Sequence, residues 1–206
     1  MDSYTQTKVE GEQLALHYYQ EFGVPVVVLR PGFIYGPRDR TVLPKLIESL
    51  HQGEMRYIGG GKKALNTIYV GNVVDAVLLA IANDNAVGQI FNLTDGEFVS
   101  KKQFIDAVAD GMGLPRPSRS VPLWLARFLA WGMERKARKN GAQQPPRLTQ
   151  ARLKFLGLNL DYSIANARKV LGYVPRVSFE RGMEATLAWY RQNSSGQASP
   201  VIHREP

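Results

Sequence analysis

Two hydrophobic periods divide the chain. From Val9 to Phe22 apolar residues recur at helical spacing, with Leu14, Ala15, Tyr18 and Phe22 on one side. Gly23-Val24-Pro25 ends that helix. Val26-Val27-Val28-Leu29-Arg30 follows, a β-branched run of the kind found in a strand covered on both faces of a parallel sheet. Pro31-Gly32-Phe33-Ile34-Tyr35-Gly36-Pro37 then reads as a rigid loop at the carboxyl end of the strand, where open α/β sheets bind ligands. Thr41 to Gln52 predicts a helix with Leu43, Leu46, Ile47 and Leu50 on one face and Gly53 as its stop. Met55 to Ile58 and Asn66 to Val70 predict strands around a Gly59–Lys63 loop. Gly71 to Asn83 predicts a helix, Gln89 to Leu93 a strand, and Ser100 opens a further helix ending near Gly111-Met112-Gly113. Alternating strands and helices argue parallel α/β.

Beyond Gly113 the pattern is mostly helical. Val121 to Met133 is the most apolar segment and is followed by Arg and Lys. Three readings fit it: buried core, a wall over a substrate pocket, or a helix lying on a membrane surface. Asn140 to Pro146 reads as a loop, Leu148 to Leu156 as a helix and Asn159 to Tyr162 as an extended piece. Ser163 caps a helix to Leu171, Ser178 to Arg191 forms the last helix, and residues from Ser194 on read as a disordered tail.

Composition narrows the chemistry. The 206 residues include no Cys, and His17, His51 and His203 show no metal spacing, so no thiolate site and no metal is expected. The net charge of +8 is spread out, apart from Arg135-Lys136-Ala137-Arg138-Lys139, and gives no nucleic-acid footprint. No apolar run approaches the ~20 residues of a membrane span, and no basic-then-apolar leader opens the chain. The expectation is a cytoplasmic protein with a small-molecule substrate.

Candidate chemistry sits at the first helix. Tyr4 and Lys8 are four residues apart, so the phenol and the ammonium share a helix face. A free Tyr titrates near ~10 and a nearby cation favours the phenolate, which suits a Tyr to proton transfer at a carbonyl or alcohol oxygen.

Taken together, Tyr4-x-x-x-Lys8, the helix, the buried strand and Arg30-Pro31-Gly32-Phe33-Ile34-Tyr35-Gly36-Pro37 resemble the extended short-chain dehydrogenase/reductases. These include NAD-dependent epimerases and dehydratases and the 3-beta-hydroxysteroid dehydrogenase-like enzymes. Asn66-Thr67-Ile68-Tyr69-Val70-Gly71-Asn72 and Leu171-Gly172-Tyr173-Val174-Pro175 extend the resemblance almost to the end. It implies the C-terminal part of a Rossmann-like parallel sheet plus a smaller, mostly helical substrate-binding region. Residues 1–96 would be nucleotide-domain sheet with substrate-domain excursions, 97–193 the helical region and 194–206 the tail.

The resemblance also implies roles. Tyr4 is the general acid/base, and Lys8 hydrogen-bonds the nicotinamide ribose of NAD or NADP. Pro31, Gly32 and Phe33 line the nicotinamide end. Tyr35, Arg38 and Asn66 are substrate-side candidates, with packing as the alternative for the first two. The family's Gly-rich phosphate loop lies upstream of its Tyr. Gly59-Gly60-Gly61-Lys62-Lys63-Ala64 precedes a strand, not a helix, and is rejected as that loop. The chain therefore reads as a C-terminal portion lacking the cofactor loop, with an exposed sheet edge and poor solubility expected.

Sugar-nucleotide members carry an Arg-Asp pair before the second sheet strand and an Asp after it, where this chain has Leu65-Asn66 and Asn72. The difference favours an alcohol or ketone on a sterol-like or other apolar substrate. A nucleotide-sugar epimerase/dehydratase and a truncated, non-catalytic binding module are the alternatives, and the family also suggests a homodimer.

Overall fold

The computed structural model describes residues 3–139, Leu153 and residues 157–194. The proposed Asn140–Pro146 loop and the tail beyond Ser194 lie outside the described residues, as does the Leu148–Leu156 helix except Leu153. Parallel pairing dominates. Strand β1 (Val28–Pro31) pairs with β5 (Ile90–Leu93), β2 (Phe33–Tyr35) with β4 (Thr67–Tyr69), and β3 (Tyr57–Ile58) with β6 (Ser120–Val121), all parallel. The helices are α1 (Ser3–Phe22), α2 (Leu43–His51), α3 (Val70–Ile81), α4 (Lys101–Gly111), α5 (Leu123–Lys139) and α6 (Phe179–Ser194), with a π-helical turn at Ala167–Leu171. The parallel α/β class expected from the alternating pattern is what the chain adopts.

Two boundaries differ from expectation. The first strand begins two residues later than the apolar run, because Val28 pairs with Ile90. Pro31 ends it, at a position where a missing N–H costs little. The Pro31–Pro37 segment is not a loop throughout. Gly32 donates to the Leu93 carbonyl at 2.9 Å, Phe33 donates to the Asn66 carbonyl at 2.8 Å, and the chain crosses from β5 to β4 to form β2. Flanking Gly and Pro gave this three-residue strand the appearance of a turn.

The buried apolar residues gather in clusters. One joins β2, α2, α4 and α6 around Tyr35, Leu43, Phe104 and Leu187. A second joins β4, β5, α3 and the π turn around Ile68, Phe91, Leu93 and Tyr173. The first strand is less covered than its composition suggests. Val28 and Leu29 are half-buried, Arg30 and Pro31 are exposed, and among the described residues no strand takes its second edge. Along α1, Leu14, Tyr18 and Phe22 are 57%, 48% and 68% exposed. Glu12, Ala15, Leu16 and Tyr19 form the half-buried side instead.

Local chemistry fixes α4. Ser100 accepts from the Gln103 amide at 3.1 Å, and the Gln103 side chain accepts from the Ser100 amide at 2.7 Å, a complete capping box. Next to it, Lys101 is 4% exposed, and its Nζ donates to the Leu158 carbonyl at 2.6 Å, tying α4 to the segment before the π turn. Burial, helped by the charge of Lys63, lowers its ammonium to about 8.

A lysine lowered on folding binds fewer protons in the folded than in the unfolded state between the two values, so stability rises with pH through that window. Relative to Lys101→Met, the wild-type chain should gain on the order of 2–3 kcal/mol between pH ~7 and ~10. Urea unfolding at both pH values measures this. Parallel pH profiles for the two proteins would remove the lysine as the cause.

Candidate functional site

The site is built where the chain crosses between sheets. Gly32 is required there by close approach, since a Cβ on it would lie 2.1 Å from the Asn66 carbonyl oxygen. Asn66 itself has φ +48°, a left-handed conformation that Asn tolerates better than most side chains. Its Oδ1 accepts from the Tyr162 amide at 3.1 Å. The side chain is 8% exposed, and its Nδ2 is buried with no hydrogen-bond partner. A cavity of about 580 Å³ lies beside it, lined also by Thr94, Glu97, Tyr162, Ser163 and Arg168. Pro31, Gly32, Phe33 and Asn66 are thus brought together at the carboxyl ends of β1 and β5.

Phe33 and Tyr35 point inward. Phe33 meets Phe104 edge-to-face at 5.3 Å. Tyr35 is 1% exposed, stacked among Tyr69, Phe104 and Phe179 at 5.6–6.0 Å, with its hydroxyl 3.4 Å from the Phe179 carbonyl. Burial pushes the Tyr35 phenol far above its ordinary range, and the nearby Asp95 carboxylate adds to the shift. Arg38 is exposed at φ +69°. Beside it Asp39 caps α2, accepting from the amides of Thr41, Val42 and Leu43 at 2.7–3.1 Å. Burial would raise the Asp39 carboxyl, but these hydrogen bonds hold it below its ordinary value.

Tyr4 and Lys8 share one face of α1, with Lys8 Nζ 5.7 Å from the centre of the Tyr4 ring. Tyr4 is 71% exposed. Two contacts orient the helix. Tyr19 lies against Gly88, just before β5, and Glu12 pairs with Arg30 near the end of β1 through the Arg30 Nε at 2.8 Å and a second, shorter bond. The helix therefore runs antiparallel to β1. Tyr4 lies eight residues before Glu12, roughly 12 Å further along the axis, which carries it past the carboxyl ends of both strands, the end where Pro31 and Gly32 lie.

A polar cluster beneath the site joins residues from separate sequence motifs, whose contact with one another the motifs did not announce. Asn72 is fully buried; its Nδ2 donates to Asp95 Oδ1 at 2.7 Å and to the Val177 carbonyl at 2.8 Å. Its Oδ1 accepts from the amides of Arg176 and Val177 at 3.2 and 3.1 Å. Asp95 also accepts from the Tyr69 amide at 2.8 Å. Burial nevertheless raises its carboxyl above the ordinary range, against the pull of these donors. Tyr173, donating to the Thr94 carbonyl at 3.0 Å, is raised likewise, first by burial and then by Asp95. The cluster clamps the segment before α6 onto the ends of β4 and β5.

A dinucleotide fits only in part. The exposed phenol and ammonium of Tyr4 and Lys8 suit a ribose and nicotinamide. Gly59–Gly61, by contrast, is a 3₁₀ turn between β3 and the Ala64 bridge, with Gly61 packed against Lys102. It opens no α-helix, as a phosphate-binding turn of that kind must.

Comparisons with known proteins agree with this architecture. Residues 1–94 match the NAD dependent epimerase/dehydratase family. The chain is 30% identical over 209 residues to 3beta-hydroxysteroid-dehydrogenase/decarboxylase isoform 2 of Arabidopsis thaliana, covering 96% of this chain and 37% of that protein. It is 31% identical over 182 residues to a 4-hydroxy-2-methyl-3-oxo-4-farnesyl-3,4-dihydroquinoline-1-oxide ketoreductase of Stigmatella aurantiaca, covering 88% of this chain and 54% of that one. Among solved structures, UDP-glucuronic acid 4-epimerase from Bacillus cereus in complex with NAD matches with a TM-score of 0.66 at 21% identity, over 94% of this chain and 53% of that chain, a likeness of fold. The chain spans about half or less of the length of these relatives.

Proposed function

We propose that this chain, whose residues 1–94 match the NAD dependent epimerase/dehydratase family, supplies the proton-transfer and substrate-side residues of an NAD(P)-dependent oxidoreductase. The reaction would interconvert an alcohol and a ketone on a sterol-like or comparably apolar molecule. The observation that carries the reading is the shared, exposed face of Tyr4 and Lys8, with the ammonium 5.7 Å from the ring centre, on a helix end that projects past β1 and β5.

When bound, the nicotinamide supplies the hydride acceptor or donor. Tyr4 would take the proton from the substrate hydroxyl, or return it to the carbonyl oxygen. Lys8 would hold the ribose through its donors and place positive charge beside the ring. The Pro31–Phe33 backbone would wall the nicotinamide end, its path held by the Gly32–Asn66 contact. Asn66 would stand on the substrate side, where it lines the cavity. Tyr35, sealed in the aromatic cluster, would serve as packing beneath that wall, and Arg38 would stay at the surface.

Support for an apolar substrate comes from the positions where sugar-nucleotide members carry charge. Leu65, Asn66 and Asn72 are all buried here and none is ionisable. Pockets for bulky apolar ligands use few charged clamps. The test is an assay of the protein as isolated from its source cells, reading NAD+ or NADP+ reduction with hydrophobic 3β-hydroxy alcohols and with UDP-sugars. Turnover of the alcohols at ~10-fold or greater kcat/KM over any UDP-sugar is expected. Turnover confined to UDP-sugars would replace the reading with epimerase or dehydratase chemistry.

A further inference from the structure

Helix α5 is oriented opposite to a core helix. Its buried side is made of alanines: Ala126 and Ala130 are 0% exposed and pack with Leu153, Ile58 and Val121. Its large side chains face out. Trp124, Phe128 and Trp131 are 71%, 64% and 52% exposed. Together with Arg135 they stand at positions i, i+4, i+7 and i+11, one continuous stripe on the far side from the alanines. Phe128 and Trp131 are 6.2 Å apart between ring centres, and the Arg135 guanidinium lies 5.5 Å from the Trp131 ring centre. Lys136 is exposed beside them, and the sequence continues with Arg138 and Lys139. The core and pocket-wall readings of this segment do not account for three large aromatics held in solvent.

We propose that α5 is an interfacial helix that seats the protein on an anionic lipid surface. Aromatic rings next to cationic side chains match the boundary between acyl chains and negatively charged headgroups. Indole and phenyl groups enter the apolar layer, while arginine and lysine stay at headgroup level. Charge selects this occupant, since the apolar stripe ends in a run of cations with one acidic residue, Glu134, on the same helix. No helix among the described residues is long and apolar enough to cross a membrane, so the contact is a surface one. The inference does not depend on the reaction proposed above.

The experiment is co-sedimentation of the full chain with phosphatidylglycerol/phosphatidylcholine vesicles and with pure phosphatidylcholine vesicles. Tryptophan quenching by brominated acyl chains is read in parallel. Binding to the anionic vesicles should exceed binding to neutral ones by about tenfold or more and weaken with salt. Phe128→Glu should lower it about tenfold by setting a charge in the apolar stripe, and Arg135→Glu with Lys136→Glu should remove the preference for anionic lipid. Quenching should arise from Trp124 and Trp131 and vanish in the Trp124→Ser/Trp131→Ser protein, which retains half-buried Trp189. These side chains are exposed, so circular dichroism melts should match the wild type. Equal binding to both vesicle types, or vesicle binding that survives all three variants, would overturn the proposal. So would self-association that Phe128→Glu abolishes in a chain that binds no vesicles, since that result assigns the stripe to a second copy.

Discussion

Replacing Tyr4 with Phe should lower kcat by about 10²–10⁴-fold in the protein as isolated from its source cells. The change removes one oxygen from a ring that is 71% exposed and makes no buried contact, so the thermal midpoint should not move. Binding of NAD(P) should stay within about threefold, because the ammonium of Lys8 remains. This combination separates a chemical role from a structural one. Steady-state kinetics alongside cofactor titration provide both readouts. A kcat within about threefold of wild type would remove Tyr4 as the proton carrier, and with it the main support for the proposed reaction.

The largest loss of stability should come from Asn72→Asp. The substitution keeps size and shape but deletes the Nδ2 donor shared by Asp95 and the Val177 carbonyl, and it sets a second carboxylate against Asp95 in a fully buried site. Two unmet acceptors and a like-charge pair should cost about 3 kcal/mol or more at neutral pH. The sign of the pH dependence follows from the pair. Folded, the two carboxyls would retain a proton at pH values where the unfolded chain, with ordinary carboxyls near ~4, has released it. Stability is then present at low pH and lost as pH rises through the raised folded value, so the deficit should shrink on moving from pH ~7 to ~5. Urea unfolding at both pH values measures it. A deficit that does not change with pH would mean that the lost hydrogen bonds, and not the paired charges, set the cost.

Much of this arrangement was legible in the residues. The β-branched run at Val26–Leu29, the helical spacing of Leu43, Leu46, Ile47 and Leu50, and Ser100 three residues before Gln103 each report a local preference that the fold obeys. What escaped reading depends on distant partners. The strand Phe33–Tyr35 exists because β4 lies beside it, and nothing between Pro31 and Pro37 encodes that neighbour. The apolar stripe of α1 and the alanine face of α5 show the same limit. Periodicity identifies a face but not which face turns inward, since the choice rests on what packs against it. Asn72 looked like a subfamily marker, and its role as a four-bond clamp emerged only when Asp95, Arg176 and Val177 came together around it. For Tyr4 and Lys8 the sequence conveyed the pairing, and the contacts of Glu12 and Tyr19 supplied the direction of the helix.

The Asn72 clamp also has a consequence for amide exchange. Arg176 and Val177 lie in a stretch without helix or strand pairing, where amides ordinarily exchange with solvent quickly. Both donate into the side-chain oxygen of a fully buried residue more than 100 positions earlier in the chain. Their exchange therefore requires a motion that lifts the start of α6 away from β4 and β5. In deuterium these two loop amides should persist about as long as those of the sheet, and they should be lost together with the Tyr69 amide, which donates to the Asp95 oxygen that Asn72 Nδ2 also binds.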